Sequence, residues 1–330
     1  MTDPAAPGSR AARTVLVTGG TSGLGLGVGR ELARDPSWHV VITGRDAGRA
    51  RAAAGPIGAE AAVLDLGSLA AVRAFAAGWA TGARPPLHAI IANAGLQHLR
   101  GDAVSSDGYE DTFAVNHLGH FLLVTLLVEQ LAAPARVVIV ASDTHDPQQS
   151  SGMPEPRYTT AAELARPDAA WAQGDSPVIA GRRRYMTSKL CNVLLTYELD
   201  RRLGGGDAGA GITFNAFDPG LMPGTGLARD YPAYQRLAWR YLLPVLTLVH
   251  RNVNTPRRSA QNLARLITDP ALDDVSGRYF SGAGEAASSR ESHDREKAAD
   301  LWRTSAELTG RPGPPSAEGT PTSATPLPGS

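Results

Sequence analysis

Cysteine is almost missing from this chain: Cys191 is the only one among 330 residues. A single thiol excludes an intramolecular disulfide framework and any multi-cysteine metal site. An excess of charge is missing as well. Lys plus Arg and Asp plus Glu each number 32, so nothing suggests a nucleic-acid partner, and no charged run forms a tail. The opening MTDPAAPGSRAAR lacks the apolar core of a signal peptide. The longest apolar run, Tyr241 to Val249, is broken by Pro244 and is too short to span a bilayer. Together these absences predict a cytoplasmic protein that acts on a small molecule and has no integral membrane segment. No internal repeat is present.

What remains suits one large α/β domain. Hydrophobic residues make up 42% and charged residues 19%, enough apolar material for a sizeable core. The ends differ: residues 1–11 are rich in Ala, Pro and Gly, and 311–330 in Pro, Ser, Gly and Thr. Both are predicted to be disordered. Between them, short apolar runs alternate with segments of helical period. Strands are predicted at 14–18, 39–43, 61–64, 87–92, 136–141 and 212–217, with a weaker one at 278–280. Helical patterns lie at 24–34, 68–80, 110–132, 187–203 and 256–268. Continuously apolar strands spaced by helices indicate a doubly wound, Rossmann-like parallel sheet of seven strands, covered on both faces. Ligands of such sheets sit beyond the carboxyl ends of the strands.

The first such end carries Gly19-Gly20-Thr21-Ser22-Gly23-Leu24-Gly25 and then a helix. Glycines allow a tight turn and close approach to a pyrophosphate, while the helix N-terminus offers free N–H groups. No lysine follows the loop, which disfavours a nucleoside-triphosphate P-loop. At the end of the second strand, Gly44 stands where an NAD-preferring site places an acid, and Arg45 follows it. An arginine there suits a 2′-phosphate, so NADP(H) is expected over NAD(H), with Asp46 as the dissenting residue. A third feature is Tyr185-Met186-Thr187-Ser188-Lys189, which opens a helical pattern. Tyrosine and lysine four apart share one helical face. A neighbouring ammonium stabilises a phenolate, bringing tyrosine closer to proton exchange at neutral pH.

With these residues in order, the chain resembles the short-chain dehydrogenase/reductase family over roughly residues 13–310. The family's glycine motif corresponds to Thr18–Gly25, its adenine-contacting acid to Asp65 beside Leu66, and its Asn-Ala-Gly stretch to Asn93, Ala94 and Gly95. Its active-site asparagine corresponds to Asn116, its serine to Ser142, its Tyr-x-x-Ser-Lys motif to Tyr185 and Lys189, and its Pro-Gly to Pro219 and Gly220, with Met222 nearby as a further cofactor contact. The resemblance implies an NADP(H)-dependent oxidoreductase that interconverts a carbonyl and an alcohol. In it Tyr185 is the general acid/base, Ser142 holds the carbonyl oxygen, Lys189 assists Tyr185 and binds the nicotinamide ribose, and Asn116 holds a relay water. No metal is implied; His117 and His120 are expected to be helix-surface or packing residues.

The stretches DTFAVNHLGHFLLVTLL and SKLCNVLLTYEL are similar to the retinol dehydrogenase and protochlorophyllide reductase branch. Another similarity is the long spacer between Ser142 and Tyr185. Residues 143–184, including Trp171, are expected to form a loop over the site's mouth, and 221–255 a substrate lid with Thr225 displaced by Gly224. Both imply a large, apolar pocket for a bulky hydrophobic ketone or aldehyde. High Ala, Gly and Arg usage suggests a bacterial source. Gly95 departs from the light-driven chlorophyll enzymes, which carry alanine there. Double-bond reduction of the protochlorophyllide type, a catalytically silent NADP-binding sensor and a sugar-nucleotide epimerase are the alternatives. Either a homo-oligomer or a monomer fits.

Overall fold

The structure, a computed structural model, describes residues 13–81, 83–99, 103–149, 153–168, 174–204, 211–222 and 254–311. Seven parallel strands form its sheet: β1 (Arg13–Val17), β2 (Trp38–Gly44), β3 (Glu60–Val63), β4 (Leu87–Ala92), β5 (Leu131–Val140), β6 (Ile212–Asp218) and β7 (Arg278–Ser281). An eighth, β8 (Gly284–Glu285), adds antiparallel to β7. The strand order is β3-β2-β1-β4-β5-β6-β7-β8. Seven strands are expected from the sequence; β8 is two exposed residues, too short for any apolar period to mark it.

Successive side chains of each central strand enter opposite cores, which is why the strands read as unbroken apolar runs. Leu16, Ile90, Val137 and Ile139 face one side, where α3 (Leu69–Ala80), α4 (Asp111–Gln130) and α5 (Pro177–Leu203) cover them. Val15, Val17, Ile91, Val138 and Val140 face the other, under α1 (Gly23–Leu32) and α6 (Pro256–Thr268). The helix α2 (Ala47–Ala54) follows β2, and α7 (Arg295–Leu308) closes the described chain. Because β1 pairs with both β2 and β4, the strand order reverses between β1 and β4, and the crevice beyond their carboxyl ends is the natural ligand site.

Two boundaries differ from expectation. The helix expected over 110–132 stops at Gln130, and β5 starts at Leu131, five residues before its apolar core. More consequentially, Tyr185 does not open its helix. Ser176 caps α5 by accepting the Ile179 N–H, and Pro177 occupies the first turn. That Ser-Pro pair is a standard start signal. Tyr185 therefore lies two turns inside a 27-residue helix.

Of the expected insertion, Tyr158, Ala161, Leu164 and Ala165 pack with Leu190, Cys191 and Leu194 of α5 and with Ala298 and Leu301 of α7. Tyr158 donates its hydroxyl to Asp300 at 2.8 Å, and the Ala161 N–H goes to the same carboxylate at 2.9 Å. This part is docked on the helical layer, because its apolar side chains find a face there. Trp171 lies outside the described residues, as do Gly224, Thr225, nearly all of the expected lid, residues 1–12 and 312–330.

Within the described residues, α4 alone has the length and apolarity to cross a membrane. Its most apolar window is 89% buried inside the fold, as befits a core helix.

Candidate active site

Beyond β1 the chain turns through Gly19, whose φ of +65° is left-handed. A Cβ at Gly19 would meet the Ala94 Cα at 2.8 Å, and one at Gly25 would meet the Gly19 carbonyl at 2.5 Å. The turn therefore needs glycine at both. Ser22 is the N-cap of α1 but makes no side-chain cap bond, which leaves the helix's first N–H groups for an anion. Thr21, Ser22, Gly23, Leu24 and Gly25 thus form a cradle of the kind a dinucleotide pyrophosphate requires.

Gly44 ends β2, and a Cβ there would lie 2.5 Å from the Thr21 Cγ2. An acidic side chain at that position would have to displace the Thr21 methyl. Arg45, next in line, is exposed. Asp46 is engaged elsewhere: it caps α2, accepting the Arg49 N–H at 2.7 Å. Asp65 follows β3 and accepts the Gly67 N–H at 3.0 Å, while Leu66 beside it is buried. At the end of β4, the Asn93 amide donates to the Thr18 carbonyl at 2.8 Å, and the Asn93 and Ala94 N–H groups both go to the Thr18 hydroxyl. These bonds lock the Asn-Ala-Gly stretch onto the glycine turn.

Asn116 sits in a π-turn, Ala114–Leu118, inside α4. Its side chain is fully used: Oδ1 accepts the Leu96 N–H at 2.8 Å, and Nδ2 donates to the Leu96 carbonyl and to the Ser188 hydroxyl, each at 3.0 Å. Ser188 in turn donates to the Tyr185 carbonyl at 2.7 Å. The asparagine thus ties α4 to the turn of α5 that carries tyrosine and lysine.

Lys189 is buried, with Nζ 5.5 Å from the centre of the Tyr185 ring and 3.0 Å from the Val140 carbonyl, to which it donates. Burial lowers its pKa to about 8, and the Asp218 charge works the other way. Gly95 completes the group: a Cβ there would lie 3.5 Å from the Asn116 Oδ1 and 3.7 Å from the Lys189 Nζ.

Ser142 follows β5. Its hydroxyl donates to the Asp143 carboxylate at 3.1 Å and accepts the Thr144 N–H at 3.3 Å. His145 holds the loop from behind. Its Nε2 accepts the Ser289 N–H at 3.0 Å, so its Nδ1 carries the hydrogen and donates to the Ser142 carbonyl at 2.6 Å. Beyond β6, Asp218 accepts from Gly220 N–H and the Ser281 hydroxyl, each at 2.9 Å. Burial raises its carboxyl to about 6, with the neighbouring Asp143 charge adding to the effect. Pro219 is held through its carbonyl by Ser259, and Met222 packs against the α1–α6 core.

The residues expected from the sequence thus lie beyond the ends of β1 to β6, with Asn116 on α4 and Tyr185 and Lys189 on α5. Sequence reasoning overlooks Thr18 as a clasp, Ser188, Asp218 and the histidines. His117 and His120 are both fully buried, so of the two expected alternatives packing is the one found. The signal for His120 is its spacing of four from Asn116, which puts both on one helical face.

A family model of short chain dehydrogenases matches residues 13–154. Protochlorophyllide reductase of Avena sativa is 34% identical over 320 residues, covering 90% of this chain and 99% of that protein. Protochlorophyllide reductase A of Oryza sativa subsp. japonica is 33% identical over 318 residues, 90% of this chain and 80% of that one. Among solved structures, an uncharacterized protein from Mycobacterium Paratuberculosis superposes with a TM-score of 0.64 at 30% identity, covering 91% of this chain and 94% of that chain.

Proposed function

The chain belongs to the short-chain dehydrogenase family of NAD(P)-dependent oxidoreductases, and from that membership we propose that it reduces a bulky hydrophobic ketone or aldehyde with NADPH. The observation that carries this reading is the buried Lys189 ammonium, anchored on the Val140 carbonyl beside the Tyr185 ring. A lysine pays a large desolvation cost in such a position, and stabilising a phenolate next to it is a use that explains the cost.

The bound reduced dinucleotide would supply a hydride to the substrate carbon. Residues 19–25 would hold its pyrophosphate, Asp65 and Leu66 its adenine, Arg45 its 2′-phosphate, and Asn93, Ala94, Gly95, Pro219, Gly220 and Met222 the remainder. Tyr185 donates its hydroxyl proton to the carbonyl oxygen. Lys189 stabilises the phenolate left behind and offers its remaining protons to the ribose hydroxyls. Ser142 turns its hydroxyl from Asp143 to the substrate oxygen, fixing the carbonyl in place. Asn116 keeps the Leu96 and Ser188 segments at fixed separation and would hold the relay water. In the reverse direction Tyr185 acts as the base.

Purified protein should oxidise NADPH in the presence of bulky ketones or aldehydes, followed by loss of reduced-cofactor absorbance. NADPH binding without turnover of any carbonyl would replace this reading with that of a sensor. A second reading, reduction of a conjugated C=C bond, is favoured by the curated relatives, which are named protochlorophyllide reductases. Mass analysis of the product separates the two: an alcohol supports the first, a saturated bond with its carbonyl intact the second.

A further inference from the structure

His120 is buried among the apolar side chains of α4, next to Phe121 and Leu122, which are also fully buried. An imidazole in such a place is costly unless both nitrogens are bonded. Both are. Nδ1 lies 3.2 Å from the Asn116 carbonyl, and Nε2 lies 2.9 Å from the Thr18 hydroxyl. A carbonyl can only accept, so the hydrogen is on Nδ1 and Nε2 presents a lone pair. The Thr18 hydroxyl hydrogen fills that lone pair, since its alternative acceptor, the Ile91 carbonyl, is 3.4 Å away. The two lone pairs of the Thr18 oxygen then take the Asn93 and Ala94 N–H groups at 2.9 and 3.0 Å. Every donor and acceptor in the chain from Asn116 to the Asn-Ala-Gly stretch is matched.

His117 makes the contrast. It bonds Ser305 through Nε2 at 2.8 Å, but its Nδ1 is buried without a partner, and it touches neither cofactor-cradle nor tetrad residues by hydrogen bond. It fastens α7 to α4 and packs its ring beside Phe113 and Phe121.

We propose that His120 is a positioning residue that sets the Asn116 π-turn and the dinucleotide cradle as one unit, by joining the Asn116 carbonyl to the Thr18 hydroxyl. The proposal rests on the assignment of Asn116 and Lys189 to proton handling. Its consequence is specific. The Asn116 carbonyl accepts the imidazole N–H, so the orientation of the π-turn that carries Asn116 depends on His120. The glycine turn and residues 93–95 depend on the same ring through Thr18. Burial holds the ring neutral, with its pKa lowered to about 4, so this tautomer persists across the physiological range.

Two measurements test this. First, the ¹⁵N imidazole spectrum of the full-length protein at neutral pH should contain a neutral Nδ1–H tautomer that disappears in His120→Gln; a neutral Nε2–H tautomer for this ring overturns the proposal. Second, in His120→Phe the dissociation constant for NADPH should rise about tenfold or more, as expected when two buried hydrogen bonds are broken. The pH profile of kcat should shift with it, and His120→Gln, which keeps an amide donor and acceptor, should recover part of both. A purely structural histidine would lower the melting temperature while leaving NADPH affinity and the pH profile unchanged, and that result also overturns it. Should the wild-type protein fail to bind NADPH, the cofactor assignment fails, while the tautomer still decides the role of His120.

Discussion

Lys189 donates a hydrogen bond from its ammonium to the backbone carbonyl of Val140, at 3.0 Å, two residues before Ser142. Asn192 donates to the same carbonyl at 3.1 Å. The end of β5 is therefore stitched to α5 by main-chain acceptance, and the strand that delivers the serine also fixes the height of the lysine. Whatever moves one moves the other.

Removing the Tyr185 hydroxyl should separate binding from chemistry. Tyr185→Phe is expected to bind NADPH nearly as well as wild type and to lose turnover by about two to four orders of magnitude. Single-turnover kinetics alongside a binding titration checks this, and substantial residual kcat would remove Tyr185 from the acid role.

Cofactor choice should follow the second strand end. Arg45→Asp is expected to move the kcat/KM ratio towards NADH, since the exposed guanidinium is lost and a like charge faces the 2′-phosphate. An acid at position 44 should do worse, because its Cβ would strike Thr21. The ratio of kcat/KM values for the two cofactors is the measurement, and an unchanged ratio in Arg45→Asp would refute the phosphate contact.

Two glycines should respond oppositely to alanine. Gly95→Ala places a methyl at ordinary van der Waals distance from the Asn116 Oδ1 and Lys189 Nζ, and it should fold and turn over. Gly25→Ala would push a methyl to 2.5 Å from the Gly19 carbonyl and deform the cradle, so NADPH affinity should collapse. Binding titrations on both variants provide the comparison.

Asp218 should make stability depend on pH in a defined direction. Its folded pKa, about 6, lies above the ordinary aspartate value of 3.8. The folded state therefore holds the proton more tightly, and this group's favourable contribution is present below pH 4 and lost as pH rises through 6. Relative to wild type, Asp218→Asn should gain stability over that window, on the order of 3 kcal/mol. Denaturant midpoints at pH 4 and pH 7 would show it; a gap that narrows with rising pH contradicts the assignment.

Much of this architecture is visible in the residues alone. The central strands of the doubly wound sheet are buried on both faces, so Val15–Val17 and Ala89–Ala92 stand out as apolar runs, and the motif residues fall where those runs end. β8 has two residues and no period to find. Gly181 and the arginines at 182–184 break the apolar rhythm and hide the start of α5, although Ser176-Pro177 marks it. The roles of Thr18, His120 and Asp218 depend on contacts between segments up to 102 positions apart, which no local pattern encodes.

Placing the phenol deep in a long helix, with the cap at Ser176, has a consequence for how such a protein can be remade. The turns ahead of Tyr185 set it back from the point where the chain enters the helix, as a beam clamped well behind its working point, while Arg157 braces the same helix at Thr187. The chain just ahead of Ser176, beyond the contacts that Tyr158, Ala161 and Leu164 make with the helix, could then be exchanged or lengthened with the proton donor left where it is.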